Sequence, residues 1–460
     1  MNNASEKSLS AKIGEGLFFF ASNTVILKLI GLLSIFLILR RLTVYEYGVS
    51  ELVFSVVAIM NFFLLPGMAD LLLAEIGREK GAGDLARIKK LFSDYAKLAI
   101  GLGVVFWLVL FWGADIISDY YGKNIANLFR IASFLFLISG FRALMTLLFN
   151  VYLKFFASSL KSFLEEFSKL CFLALFFFYF NLRMEGIFLA QVLSQIAAFI
   201  ILLPSAVKLY KTLSMVTPAE DISLKQIFLG HGKWAALINY LSILGNNMRL
   251  WLIKFFLGTE MVGLFAVAYG LFSHTSALFP LSSVVRPIIP QYFEIKEKFY
   301  KLIEKSIKYQ FLGYLFIGII AFFLFPAVIV RLFPNYASSM FLFRGMLFAL
   351  IPVSFAAIFT QTFYAIRAQK SFFLVLLVRT VSIAAFLPIF AYFFGPAGII
   401  YEFLLTSLIF ALERYRVLRK LMPDFQLSLR DFFSIDDMDR YFIKRIKDFI
   451  KSKIKYQNAK

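Results

Sequence analysis

Sulfur and imidazole are nearly missing from this chain: 460 residues contain one cysteine, Cys171, and two histidines, His231 and His274. A lone cysteine excludes an internal disulfide framework, and the three residues together fall short of a Cys/His metal site, so no metal and no cofactor is expected. Charge is scarce as well. Only 17% of residues are Asp, Glu, Lys or Arg, against roughly a quarter in soluble domains. A soluble chain of this length would fold as two or three domains, and the polar residues needed to cover their surfaces are absent. No complete glycine-rich nucleotide loop and no nucleophile elbow occurs. The composition excludes a water-soluble enzyme.

What is present is apolar: 60% hydrophobic residues and 59 phenylalanines, with a mean hydropathy of +0.79. At about 20 residues per crossing, twelve crossings use a little over half of the chain. Apolar runs between turn and charge punctuation predict spans near 17–39, 47–66, 98–113, 129–150, 163–180, 186–206, 234–257, 260–285, 309–330, 341–364, 371–394 and 397–413. The first run follows Lys7 and Lys12 but ends at Arg40 and Arg41 without a small-residue cleavage site, so it reads as a span and not a signal peptide. The net charge of +20 is then a topology signal and not a nucleic-acid footprint. With both termini inside, the inner segments hold 35 Lys and Arg and the outer segments 5, which predicts cytoplasmic termini.

The segments Arg78 to Lys97 and Arg286 to Lys308 are basic and amphipathic; Ile295, Phe299, Leu302 and Ile303 share one helical face. Both are expected to lie on the membrane surface. The tail, 416–460, repeats the pattern with a Phe442, Ile446, Phe449, Ile450 stripe and eight basic residues from Arg440 onward. It is expected to meet anionic lipid, with binding of a partner protein secondary. The halves resemble each other: Leu42 to Val49 aligns with Leu257 to Leu264 at an offset of 215, matching Leu and Gly, and each match precedes a span, a proline (Pro66, Pro280) and a basic segment. Six spans per half make parallel repeats, giving lobes over 1–212 and 213–415.

Leu39-Arg40-Arg41-Leu42 followed by Glu46-Tyr47-Gly48 resembles the "a-R-x-L-x-x-x-x-y-G" junction of O-antigen flippase-type polysaccharide biosynthesis proteins, within the multidrug/oligosaccharidyl-lipid/polysaccharide (MOP) exporter superfamily. Phe256-Leu257-Gly258 and Gly263-Leu264 look like its second-half counterpart. The resemblance implies an all-α membrane protein with two six-helix lobes around a central cavity. It further implies carriage of a lipid-linked oligosaccharide from inner to outer leaflet, for lipopolysaccharide or other surface-polysaccharide assembly, alongside other assembly proteins.

Intramembrane cations usually face a wet cavity or a partner. Helical spacing groups Ser139, Arg142, Thr146 and Asn150 in span 4; Asn239, Ser242, Asn246 and Arg249 in span 7; and Thr24, Lys28 and Gly31 in span 1. These stripes predict a basic cavity lined by both lobes, with Arg344 and Arg379 adding to it, although Arg344 could equally snorkel. Such a cavity suits a pyrophosphate joined to sugars, because Arg grips phosphate bidentately and Asn, Ser and Thr bond hydroxyls. The alternative is that Arg142 and Arg249 pair with helix-end carbonyls or with acids such as Glu165, Glu166 or Glu402. His274 lies off the stripe of Tyr269, Ser273 and Ser276 and reads as a packing residue. A rival function is small-molecule export of the multidrug and toxin extrusion (MATE) type, which needs buried carboxylates; residues 17–39 contain none. A glycan polymerase or ligase would need a catalytic set, and the longest outer stretch, Ala114 to Leu128, offers only Asp115 and Asp119.

Overall fold

The computed structural model describes residues 26–427 except 65–71, 74, 77–78, 80–83, 122–124, 153, 215–232, 287–288 and 294. Thr24, Pro66, Arg78, His231, most of the linker between halves and the basic tail from residue 428 on lie outside the described residues. Those described are helical, with no strand among them. The helices are α1 (26–41), α2 (Val44–Leu64), α3 (Leu85–Tyr121), α4 (Ala126–Val151), α5 (Phe155–Phe178) and α6 (Met184–Ser214). The second half contributes α7 (Lys233–Leu257), α8 (Thr259–Ala277), α9 (Lys296–Leu332), α10 in two segments (Ser339–Leu347 and Leu350–Ala365), α11 (Gln369–Phe394) and α12 (Pro396–Leu421). Among the described residues, six helices are long and apolar enough to cross a membrane, or seven if the two α10 segments, bent by 57°, form one span.

Local chemistry sets the junctions. Thr43 and Glu46 form a capping box at α2, the Thr43 N–H donating to Glu46 Oε2 at 2.8 Å and the Glu46 N–H to Thr43 Oγ1 at 3.3 Å. The equivalent turn before α8 uses Gly258 at φ +90°, a conformation that glycine adopts without a Cβ clash. Gly395 at φ +55° and Pro396 turn α11 into α12 in the same way.

Helices α3 and α9 correct one expectation. Each runs 37 residues, about 55 Å at 1.5 Å per residue, well beyond a hydrocarbon core of about 30 Å. The first basic amphipathic segment from Leu85 on, and the second from Lys296 on, are extensions of these helices and not separate surface helices. Their apolar stripes dock on protein: Ile88, Leu91, Phe92 and Tyr95 pack with Leu144, Leu148 and Leu202, while Phe299 and Ile303 pack with Ile358, Phe363 and Phe425. An apolar stripe beside a bundle core buries there for the same reason it would bury in lipid.

Helices α3 to α6 pack mainly on one another, as do α9 to α12, with α7 against α11. The halves meet where α2 packs on α7 and crosses α8, and the crossing obeys the sequence repeat. A Cβ on Gly48 would collide with the Thr259 carbonyl, and one on Gly263 with the Val44 carbonyl. Val44 and Thr259, like Gly48 and Gly263, are 215 positions apart, so each repeat presents the same glycine to the same backbone oxygen of the other. Only a residue without a side chain permits that approach.

Candidate functional site

Beside this crossing lies a cavity of about 650 Å³ walled by α1, α2, α5 and α6, with His274 contributed by α8. Lys28 on α1 faces it, as the stripe on span 1 predicts. Its charge differs from expectation: Lys28 and Lys169 share the wall with Glu51, Glu165 and Glu166, and Ser34, Ser50, Ser162 and Gln191 supply neutral polar groups. The cavity is mixed in sign and not basic, and the first half builds almost all of it. His274 reaches it because Gly31 leaves room; a Cβ there would stand 2.8 Å from His274 Cε1. The ring is fixed against α1, and its buried Nδ1 has no hydrogen-bond partner among the described residues. Tyr47 closes the cavity toward the helix crossing, its ring edge-on to Tyr336 at 6.4 Å. The Tyr336 hydroxyl in turn donates to the Leu42 carbonyl at 2.9 Å, a bond from second half to first.

Ser139, Arg142, Thr146 and Asn150 line one face of α4, as predicted, and with Lys161 border a neighbouring pocket of about 270 Å³. Arg142 is not free there. Its Nε and Nη2 donate to Glu165 Oε1 and Oε2 at 2.7 and 2.8 Å, and Lys161 Nζ lies 3.3 Å from the same carboxylate. Glu165 thus stands between the two spaces with two cations, Arg142 and Lys161, on its pocket side. The Ser139 and Thr146 hydroxyls donate to carbonyls of their own helix, leaving their lone pairs toward the pocket.

Arg249 departs from the expected cavity position. It is 2% exposed and its Nε and Nη2 donate to Glu402 of α12 at 2.9 and 2.7 Å, with the Thr406 hydroxyl donating to the same carboxylate at 3.0 Å. A guanidinium buried in an apolar bundle needs a counter-charge, and Glu402, one of the acids considered from sequence, supplies it. The span 7 stripe therefore divides: Asn239 is half-buried and Asn246 exposed, and both lie outside the two cavities. Arg379 on α11 donates to Asn246 Oδ1 at 3.0 Å and stacks over Phe410 at 5.1 Å. Arg344 is also outside the cavities. It is exposed, stacked on Phe322 at 5.0 Å, consistent with the snorkelling alternative.

Sequence reasoning passed over two features. Ser162, Glu165, Glu166 and Lys169 recur at helical spacing on α5, a stripe of the kind read in the other spans. Arg414, counted among the inner basic residues, is 5% exposed, held between Phe372 and Phe410 while donating to the Ala356 carbonyl. Nothing in the local pattern around Arg414 distinguishes it from the exposed Arg416 and Arg419 that follow.

The described geometry can hold a polar or zwitterionic group beside the crossing of the two halves. Similar folds occur among transporters. A multidrug resistance MATE family transporter of the MOP superfamily in its inward-facing conformation is 17% identical with a TM-score of 0.69, the match covering 86% of this chain and 96% of that one. An outward-facing conformation of a transporter with the same description gives 16% and 0.65 over 88% and 95%. A MOP superfamily transporter from Pyrococcus furiosus, described as having a binding pocket of reverse polarity, gives 16% and 0.63 over 87% and 95%. The fold is accordingly MATE-like. No curated protein matches the chain. The model of the family described as polysaccharide biosynthesis protein matches residues 37–341, well over half of the sequence, and the chain belongs to that family.

Proposed function

We propose that the protein is a flippase of a cell inner membrane. It moves a polyprenyl-(pyro)phosphate-linked oligosaccharide from the inner to the outer leaflet by alternating access, for surface-polysaccharide assembly. The carrying observation is the polar cavity placed directly beside the repeat-related crossing of α2 and α8. A crossing that seals one end, next to a cavity that can hold a head group, is what a carrier needs in one of its two states.

The proposed topology has twelve spans in two lobes, 1–212 and 213–415, with both termini cytoplasmic. Two observations support it. The 35 to 5 distribution of Lys and Arg favours that orientation, and the ends it assigns outside carry exposed aromatic residues, among them Trp112, Tyr179, Tyr392 and Phe393, as a membrane–water interface does. In that orientation the crossing seals the outer side. Helices α2 and α8 must part there before a head group can leave.

The substrate's phosphates meet Lys28 and Lys169, and its sugars the Ser, Gln and Glu groups of the cavity wall. Arg142, with Ser139, Thr146 and Asn150, extends this surface, and Arg379 with Asn246 and Asn239 offers the second lobe's contribution. Arg249 acts through packing. The polyprenyl tail stays in lipid. The tail 416–460 holds the inner surface through anionic lipid.

A second reading has a specific observation in its favour. Glu51, Glu165 and Glu166 give the cavity the carboxylates that residues 17–39 lack, so export of a small cationic molecule fits the same wall. Deletion separates the two. Loss of the flippase leaves lipid-linked oligosaccharide on the inner leaflet while glycosyltransferase activity in membranes is unchanged. An unaltered leaflet distribution together with raised sensitivity to organic cations identifies the exporter.

A further inference from the structure

In the second half, sharing no lining residue with that cavity, a groove of about 250 Å³ runs between α9 and the bend of α10. Its wall is apolar throughout except for Tyr314, with Leu315, Ile319 and Phe322 on one side and Phe348 and Ile351 on the other. The groove lies where α10 breaks at Phe348 and turns by 57°, so its two segments cannot both follow the same line along α9. From Phe311 to Phe323 the α9 wall spans about 18 Å at 1.5 Å per residue. That is long and narrow, and its volume is below the roughly 300 Å³ at which compact drug-sized sites begin. It fits a single extended hydrocarbon chain.

A cation stands at the groove. Arg344 lies one helical turn before Phe348 and its guanidinium stacks 5.0 Å from the ring of Phe322, itself part of the wall. The side chain is exposed, and no carboxylate pairs with it among the described residues, in contrast to Arg130, Arg142, Arg183 and Arg249. An apolar trough with a planar, unneutralised guanidinium at its edge is complementary to an amphiphile that carries a phosphate on a hydrocarbon chain.

We propose that this groove is a binding site for an anionic membrane phospholipid, one acyl chain lying along α9 and the phosphate on Arg344. A phospholipid fits better than the lipid-linked oligosaccharide. The groove shares no residue with the polar cavity and, apart from the Tyr314 hydroxyl, offers a glycan no hydrogen-bonding side chain. The site is independent of what the cavity carries.

Native mass spectrometry of the full-length protein, reconstituted in vesicles of phosphatidylethanolamine and phosphatidylglycerol at three to one and then released, tests this. The wild type retains phosphatidylglycerol in preference to phosphatidylethanolamine. Arg344→Gln lowers that retention about tenfold, the size of one lost charge-assisted contact. Ile351→Trp, which fills the groove from its lipid side at a 47% exposed position, lowers it without touching the cation. Arg331→Gln, at an exposed cation outside the groove, leaves it unchanged. Equal retention of both lipids by the wild type, or full retention by both groove variants, overturns the proposal. So does polyprenyl phosphate displacing phosphatidylglycerol from the wild type, which would make the groove a substrate-tail site.

Discussion

The two halves handle intramembrane charge differently. In the first, Lys28, Lys169, Glu51, Glu165 and Glu166 gather around a cavity, and the ion pair of Arg142 with Glu165 is part of its border. In the second, Arg249 and Glu402 are sealed in packing at 2% and 0% side-chain exposure, and Arg414 is held between phenylalanines. The two halves thus use the same residue types for opposite purposes. A charge beside a cavity can exchange a protein partner for a ligand. A charge enclosed by helices can only fasten them, and it costs stability when its partner is removed.

That contrast predicts the largest effect at Arg249. Arg249→Ala leaves Glu402 buried and unpaired, a loss on the order of 3–5 kcal/mol, and the protein should fail to reach normal membrane levels. Arg249→Leu combined with Glu402→Leu should recover much of that level, as quantitative blotting of membranes would show. If the single variant accumulates normally but does not transport, the second half's arginine belongs to the substrate path and the contrast breaks.

The crossing comes next. Gly48→Leu or Gly263→Leu places a side chain where the facing carbonyl stands, an overpacking cost of roughly 1–3 kcal/mol that acts on one conformation only. The expected outcome is normal abundance, little transport, and a cysteine introduced near Tyr47 becoming reactive to an impermeant thiol reagent. Unchanged labelling would show that the crossing is not a gate.

Smaller effects sharpen the account of the cavity. Lys28→Ala and Lys169→Ala should each lower transport about tenfold with normal abundance, and Arg at either site should retain activity. Arg142 is one-third exposed, so Arg142→Ala should destabilise far less than Arg249→Ala in thermal denaturation, and Glu165→Gln should partly restore it. Arg331→Ala, at an exposed position, should change neither transport nor stability.

How far the sequence was readable follows the same division. The helices were legible because each apolar run is local, and the repeat because Leu42 to Val49 and Leu257 to Leu264 carry it in eight residues. Their meeting at Gly48 and Gly263 was not, since nothing in either segment says that the two copies touch. The α4 stripe from Ser139 to Asn150 was legible as a face. The roles of the cations were not: Arg249 and Glu402 are 153 residues apart, and periodicity cannot distinguish a face turned toward water from one turned toward a partner. Glu51 and Lys169 are not part of the stripes in spans 1, 4 and 7, although the α5 stripe that holds Lys169 has the same spacing. His274, read as packing, does pack on Gly31, and the space behind that contact is the cavity itself.

The central claim, movement of an intact anionic lipid-linked glycan through the cavity beside the crossing, is tested most directly in vesicles containing purified protein and a lipid-linked oligosaccharide. Exposure of the glycan to an external lectin is followed over time, with the glycan analysed afterwards. The account predicts protein-dependent exposure of a chemically unchanged glycan, reduced in Lys28→Ala and Lys169→Ala. Exposure no faster than in empty vesicles, together with uptake of an organic cation by the same protein, would contradict it.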